Sequence, residues 1–219
     1  MKKLTLILVF ILISVVKIFS QSDSVKYDLM FQFSDGLYLN FEQLKNNSPI
    51  NFSQIYDFTF TENDLSYFDN AEQIRYYDDF GNLITLNKTD IWGYCVSGHP
   101  YVFYASKFNM LSNIGKISFF VSTILIRRYV EDPMIMTSYG HFVPGMGYES
   151  YVEEVQSFII NWEDGNIYKY SAESLVPILK NDNELFTEYD KLSRRKKDKE
   201  KYNYILRYNE KHPIYFLKK

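Results

Sequence analysis

Between residues 73 and 170 the chain is cut at short intervals by turn signals, and the pieces between them are apolar, aromatic and β-branched. Such pieces have the length of strands, and their close spacing makes each strand return along the last, as in an antiparallel meander. Gln73 to Tyr77 and Leu83 to Leu86 flank Asp78-Asp79-Phe80-Gly81-Asn82. Ile91 to Val96 and Tyr101 to Ala105 flank Ser97-Gly98-His99-Pro100. Tyr151 to Trp162 and Ile167 to Tyr170 flank Glu163-Asp164-Gly165-Asn166, whose Asp-Gly pair is the strongest short hairpin signal in the chain. Residues 117–126, ISFFVSTILI, form a continuous apolar run. It is too short to span a bilayer and is expected to be a central strand buried on both faces.

From Ser171 the period changes from 2 to 3.6. Ser171 caps an expected helix through Lys180, with Pro177 inside it, and Asp182 caps a second. Leu185, Tyr189 and Leu192 share one face, and Tyr202, Ile205, Leu206 and Tyr208 resume that stripe until His212-Pro213. Strands followed by helices predict an α+β fold: an antiparallel β-rich body, residues 21–171, with a helical, basic segment, 172–219, packed on it. Upstream, Asp35-Gly36 turns into a short strand, Asn40 caps a short helix through Lys45, and Phe52 to Phe60 reads as strand. No internal repeat is present.

Lys2, Lys3 and the apolar run Leu4 to Val16, with Ser20 before Gln21, have the form of a secretory signal peptide cleaved after Ser20. Lys17 interrupts the expected cleavage region, so a retained anchor is the alternative. No Cys follows the run, which argues against a lipid anchor. The expected location is the periplasm, the cell surface or the medium. The 20 Tyr and 18 Phe against 9 Gly and 6 Pro supply a core large enough to stand without disulfides, and the single cysteine, Cys95, permits none within the chain.

Charge is asymmetric. Residues 21–190 carry 10 basic and 24 acidic side chains, net −14, and residues 191–219 carry 11 and 3, net +8. Export and the acidic body argue against a nucleic-acid partner. The run Arg194, Arg195, Lys196 and Lys197 is expected to be a solvated helix segment pairing with the body; a peripheral contact with an acidic envelope surface is the alternative.

Few residues suggest chemistry. Cys95, His99 and His141 could form a nucleophile with its base, but a thiolate needs a third, orienting group, and structural zinc needs four ligands. Cys95 therefore reads as a buried hydrophobe and His99 as a solvated turn residue; no metal or other cofactor is expected. Residues 130–149 hold two Pro, three Gly and three Met without periodicity and read as a long irregular loop. Its His141, Gly145 and Gly147 could line a ligand cleft, although a Gly-x-Gly cradles phosphate only before a helix. The alternative is packing of Met134, Met136, Phe142 and Met146 over the sheet. Trp92 and Tyr94 would form a stacking platform if exposed and core if buried. Residues 76–86, YYDDFGNLITL, look like one unit of a YD-repeat, but a single unit implies no array.

The segment DIWGYCVSG at 90–98, the run DGLYLNFEQLKNNSP at 35–49 and the tail KLSRRKKDKEKYNYILRYNEKHPIY resemble a family of uncharacterised exported proteins of Bacteroidota. The resemblance implies export in a Gram-negative bacterium and brings no catalytic residues. The export signal, the aromatic β-rich body and the lack of a coherent catalytic set lead to the expectation of a non-enzymatic domain binding a protein or glycan in the periplasm or at the cell surface. A hydrolase using the 130–149 loop and a structural envelope protein held by its basic tail are the alternatives.

Overall fold

The computed structural model describes residues 24–56, 58, 65–131, 134–136, 138–143, 145 and 147–217. The expected signal segment lies outside them. Seven antiparallel strands form one curled sheet, a half-barrel. In chain order they are β2 (Gly36–Tyr38), β5 (Gly93–Val96), β6 (His99–Tyr104), β7 (Lys107–Asn113), β8 (Ile117–Val130), β11 (Tyr148–Asn161) and β12 (Ile167–Lys169). Across the sheet the order is β12-β11-β8-β7-β6-β5-β2, so the expected meander is present, with β2 added at its edge.

The sheet is covered on both faces because its strands alternate two apolar sets. Cys95, Val102, Leu111, Phe120, Phe158 and Ile160 point inward. The hollow is filled by α1 (Phe41–Lys45) through Phe41 and Leu44, by Phe33, and by Phe216. Phe216 lies on β13 (Tyr215–Leu217), which pairs with β1 (Ser24–Lys26) and so joins the two ends of the described chain. Phe31 stacks on Phe216 at 4.4 Å between ring centres. The stripe expected to end at His212-Pro213 is thus followed by a strand that the sequence does not announce; pairing between residues nearly 200 apart leaves no local pattern.

On the outer face near β5, α2 (Leu65–Asn70) and the hairpin of β3 (Gln73–Tyr77) and β4 (Leu83–Asn87) cover Leu37, Tyr94 and Phe108. Asp78 builds the hairpin's turn by accepting from the backbone N–H of Phe80 (2.9 Å) and of Asn82 (2.8 Å), and Gly81 takes the positive φ of 80°. Phe52 to Gln54 form a 3-10 turn rather than the expected strand, because Asn51 captures the Ser53 N–H at 2.9 Å.

On the outer face near β11, three helices pack on Ile117 and Ile159. They are α3 (Ala172–Leu179), α4 (Asn183–Asp190) and α5 (Arg194–Lys211). Ser171 and Asp182 cap the first two as expected. On α5 the buried face is Tyr204, Ile205 and Tyr208, whereas Tyr202 and Leu206 are exposed. No helix among the described residues is long and apolar enough to cross a membrane.

Candidate interaction surface

The apolar run at 117–126 is only half buried. Strand β8 extends to Val130 and pairs with β11 over fourteen consecutive positions, from Ile117↔Asn161 to Val130↔Tyr148. β7 joins β8 only near Leu111↔Phe120, and β12 joins β11 only at Phe158 to Ile160. Beyond these points the two strands pair only with each other: Ser122 is still buried and Ile124 still packs on the inner core, and from Arg127 outward the pair is an exposed two-stranded ribbon, an arm. Among the described residues neither strand has a further ladder partner there. The expected irregular loop is mostly the arm's tip, where β9 (Ile135–Met136) and β10 (Phe142–Val143) form a short second ladder.

Glu153 and Glu154 explain why the arm stays in solvent. Adjacent strand residues point to opposite faces, so this pair puts a carboxylate on each face and bars either from burial. Cross-strand charges neutralise them: Arg128 donates to Glu154 at 2.9 Å, Lys107 lies 3.8 Å from Glu153, and Arg127 pairs with Glu149.

The arm nevertheless exposes much apolar surface. On its outer face Val121, Leu125, Tyr129, Tyr151 and Val155 are between 45% and 69% exposed. Register explains their arrangement. The rows Tyr129↔Glu149, Arg127↔Tyr151, Leu125↔Glu153, Thr123↔Val155 and Val121↔Ser157 each hold one apolar and one polar residue, and the apolar one changes strand at every row. The five side chains form a zigzag column beginning where the helical cover of Ile117 and Ile159 ends. Exposed apolar patches of this kind mark interaction sites rather than ordinary surface.

The residues singled out in the sequence are not gathered into one site. Tyr94 is in the core, 1% exposed, stacked between Phe68 and Tyr101. Trp92 is half-buried against Phe41, 5.4 Å between ring centres, so the two offer no stacking platform. His141 is exposed at the arm's tip, Gly145 is half-buried, and Gly147 lies against the Tyr129 ring. Met134 and Phe142 are exposed rather than packed over the sheet, because the tip projects away from it; Met146 lies outside the described residues.

Cys95 is buried; its thiol faces the Phe33 carbonyl at 3.7 Å and Asp35 at 3.6 Å. Burial pushes its pKa up, and the Asp35 charge adds to this, which removes the thiolate a nucleophile needs. His99 sits at the start of β6, exposed, because Ser97 and Gly98 alone make the turn, both at positive φ. Among the described residues no three of His, Cys, Asp and Glu are placed to hold a metal ion.

Two cavities lie away from the arm. One of ≈ 470 Å³ opens at the end of the sheet between Tyr27–Phe33, the 97–100 turn and Leu111–Ile114. The other is an open groove along α5, lined by Lys196, Lys199, Tyr204 and Arg207 among others. The basic run Arg194, Arg195, Lys196 and Lys197 lies at the start of this helix. Lys197 is 3.2 Å from Asp190 and sits over the Tyr189 ring, and Arg194 is 3.8 Å from Glu173; these partners belong to the neighbouring helices, not the sheet.

No family model, curated protein or solved structure matches this chain.

Proposed function

We propose that the chain is an exported binding domain that engages a protein partner through the outer face of the β8–β11 arm. The zigzag of Val121, Leu125, Tyr129, Tyr151 and Val155 carries this reading: a ribbon excluded from the core by its own carboxylates still presents a continuous apolar column. Rigid aromatic side chains on such a surface supply contact area at small entropic cost. The N-terminal run Lys2 to Val16 supports export.

Site-specific photo-crosslinking in the native host tests it. A crosslinking residue at Leu125 or Tyr151 gives protein adducts, whereas the same residue at Asn82, exposed on the β3–β4 turn, gives none. Absence of adducts at both arm positions overturns the reading. Intact-mass analysis of the envelope fraction gives a chain starting at or near Gln21; full-length protein confined to the inner membrane excludes cleavage.

A further inference from the structure

We propose that the partner of the arm is a second copy of this chain, joined face to face across a two-fold axis passing beside Leu125. This rests on the reading of the arm as the contact surface and names what covers it.

The order of side chains along the column is self-complementary. From tip to root it runs Tyr129, Tyr151, Leu125, Val155, Val121, two large rings, a central leucine and two small aliphatic groups. A two-fold axis at Leu125 lays a second column on the first in reverse. Leu125 then meets its equivalent, Tyr151 meets Val155 of the other copy, and Tyr129 meets Val121 of the other copy. Each bulky ring faces a small side chain, the pairing that close packing requires.

Charge admits this occupant. Residues 21–219, body and basic tail together, carry 21 basic and 27 acidic side chains, net −6, so two copies repel only weakly. On the outer face of the arm the charges are already paired, Arg127 with Glu149 and Glu153 with Lys107. In the reversed overlay Glu149 and Arg127 lie over the uncharged Ser157 and Thr123 of the other copy, and the one like-charged meeting is Glu153 with its equivalent beside the axis, each carrying its own Lys107 at 3.8 Å. The column is also long enough. Two tyrosines, a leucine and two valines at this exposure offer on the order of 500 Å² from each copy, so pairing buries about 1,000 Å², the lower limit for a specific interface.

The test is sedimentation velocity on residues 21–219 over roughly 1–200 μM, the range of an interface at that lower limit. The expected result is a reversible monomer–dimer equilibrium that Leu125→Arg weakens at least about tenfold. Val121→Tyr sets ring against ring and weakens pairing similarly, and Val121→Tyr combined with Tyr129→Val restores it to within about threefold. Circular dichroism confirms that each variant is folded. A chain monomeric throughout, or a dimer indifferent to Leu125→Arg, overturns the proposal. If such a chain still yields Leu125 adducts to a different protein, the arm remains an interaction surface with a foreign partner. If it yields none, both readings fall.

Discussion

The Asn209 side chain closes on both backbone groups of Ile117: its Oδ1 accepts from the Ile117 N–H at 2.7 Å and its Nδ2 donates to the Ile117 carbonyl at 2.8 Å. One amide thus continues the ladder of β8 at its first residue and fastens α5 to the sheet. Gly115 makes the approach possible, since a Cβ there would overlap the Asn209 amide. Asn209→Ala leaves two backbone groups short of a partner and is expected to cost about 1–3 kcal/mol in urea unfolding. Asn209→Asp keeps the acceptor but lacks the donor, and is expected to fall between wild type and alanine only at low pH, where the protonated acid can donate. Equal stability of all three chains would show that the clip contributes nothing.

Ala105 and Ser106 connect β6 to β7 with both residues at positive φ, 52° and 64°. Neither is a residue that favours this conformation. The turn holds because Asn109, buried on β7, donates to the Tyr104 carbonyl at 3.1 Å and the Lys107 carbonyl at 2.9 Å. Ala105→Gly removes the Cβ strain at a smaller entropic cost and is expected to stabilise the protein by about 0.5–1 kcal/mol. Ala105→Val moves the midpoint the other way. A destabilising glycine would refute the strain.

Legibility followed locality. Turns built from their own residues were readable: Asp78 to Asn82, Ser97-Gly98 and Asp164-Gly165 all bend where the sequence places a bend. The caps at Asn40, Ser171 and Asp182 were readable for the same reason. The Ala105-Ser106 turn was not, because its brace, Asn109, lies outside the turn. The arm was misread because ISFFVSTILI has no alternation of its own; whether it is buried depends on its partner strand, whose Glu153-Glu154 pair is the signal that was available. Of the candidate site residues, Trp92 and Tyr94 looked identical as platform or core until Phe68, Phe41 and Tyr101 were placed around them.

Asp182 predicts how the protein responds to acid. Its side chain caps α4 through the Leu185 N–H at 3.1 Å and lies 2.9 Å from Lys211 and 2.7 Å from His212 Nε2. Burial disfavours its charge, but these bonds outweigh burial and hold the carboxyl well below the usual carboxylate range. The unfolded chain takes up this proton near pH 3.9, above the folded state, so it binds more protons in that interval and stability rises with pH there. The contribution is complete above about pH 5 and is lost as pH falls toward the folded value. Asp182→Asn keeps a capping acceptor but loses the charge. It is expected to be about 1–3 kcal/mol less stable at pH 7, with a shallower acid limb, the two curves converging near pH 2–3. Parallel curves would assign the acid response to other carboxylates.

Cys95 should be silent in the native state. Its thiol is enclosed and held protonated, so a disulfide probe such as DTNB reacts only at the rate of unfolding and reaches one equivalent in denaturant. Immediate reaction in buffer would show that Phe33 and Asp35 do not seal it.

Neighbouring residues of α5 separate burial from sequence pattern. Ile205 is fully buried among Ile117, Leu175 and Tyr189, whereas Leu206 is 43% exposed, although both belong to the same apolar stripe of the sequence. Ile205→Ala opens a cavity between helices and sheet and is expected to cost about 2–5 kcal/mol, against under about 1 kcal/mol for Leu206→Ala. The basic run divides in the same way. Lys197 keeps 18% of its side chain exposed, its stem and ammonium against Tyr189 and Asp190, while Arg195 and Lys196 are exposed. Lys197→Ala should therefore lower stability by about 1 kcal/mol, and Arg195→Gln with Lys196→Gln by a few tenths. Urea midpoints for the four variants check the ranking. If Leu206→Ala costs as much as Ile205→Ala, the helix is turned about its axis from the position described, and the Asn209 clip to Ile117 fails with it.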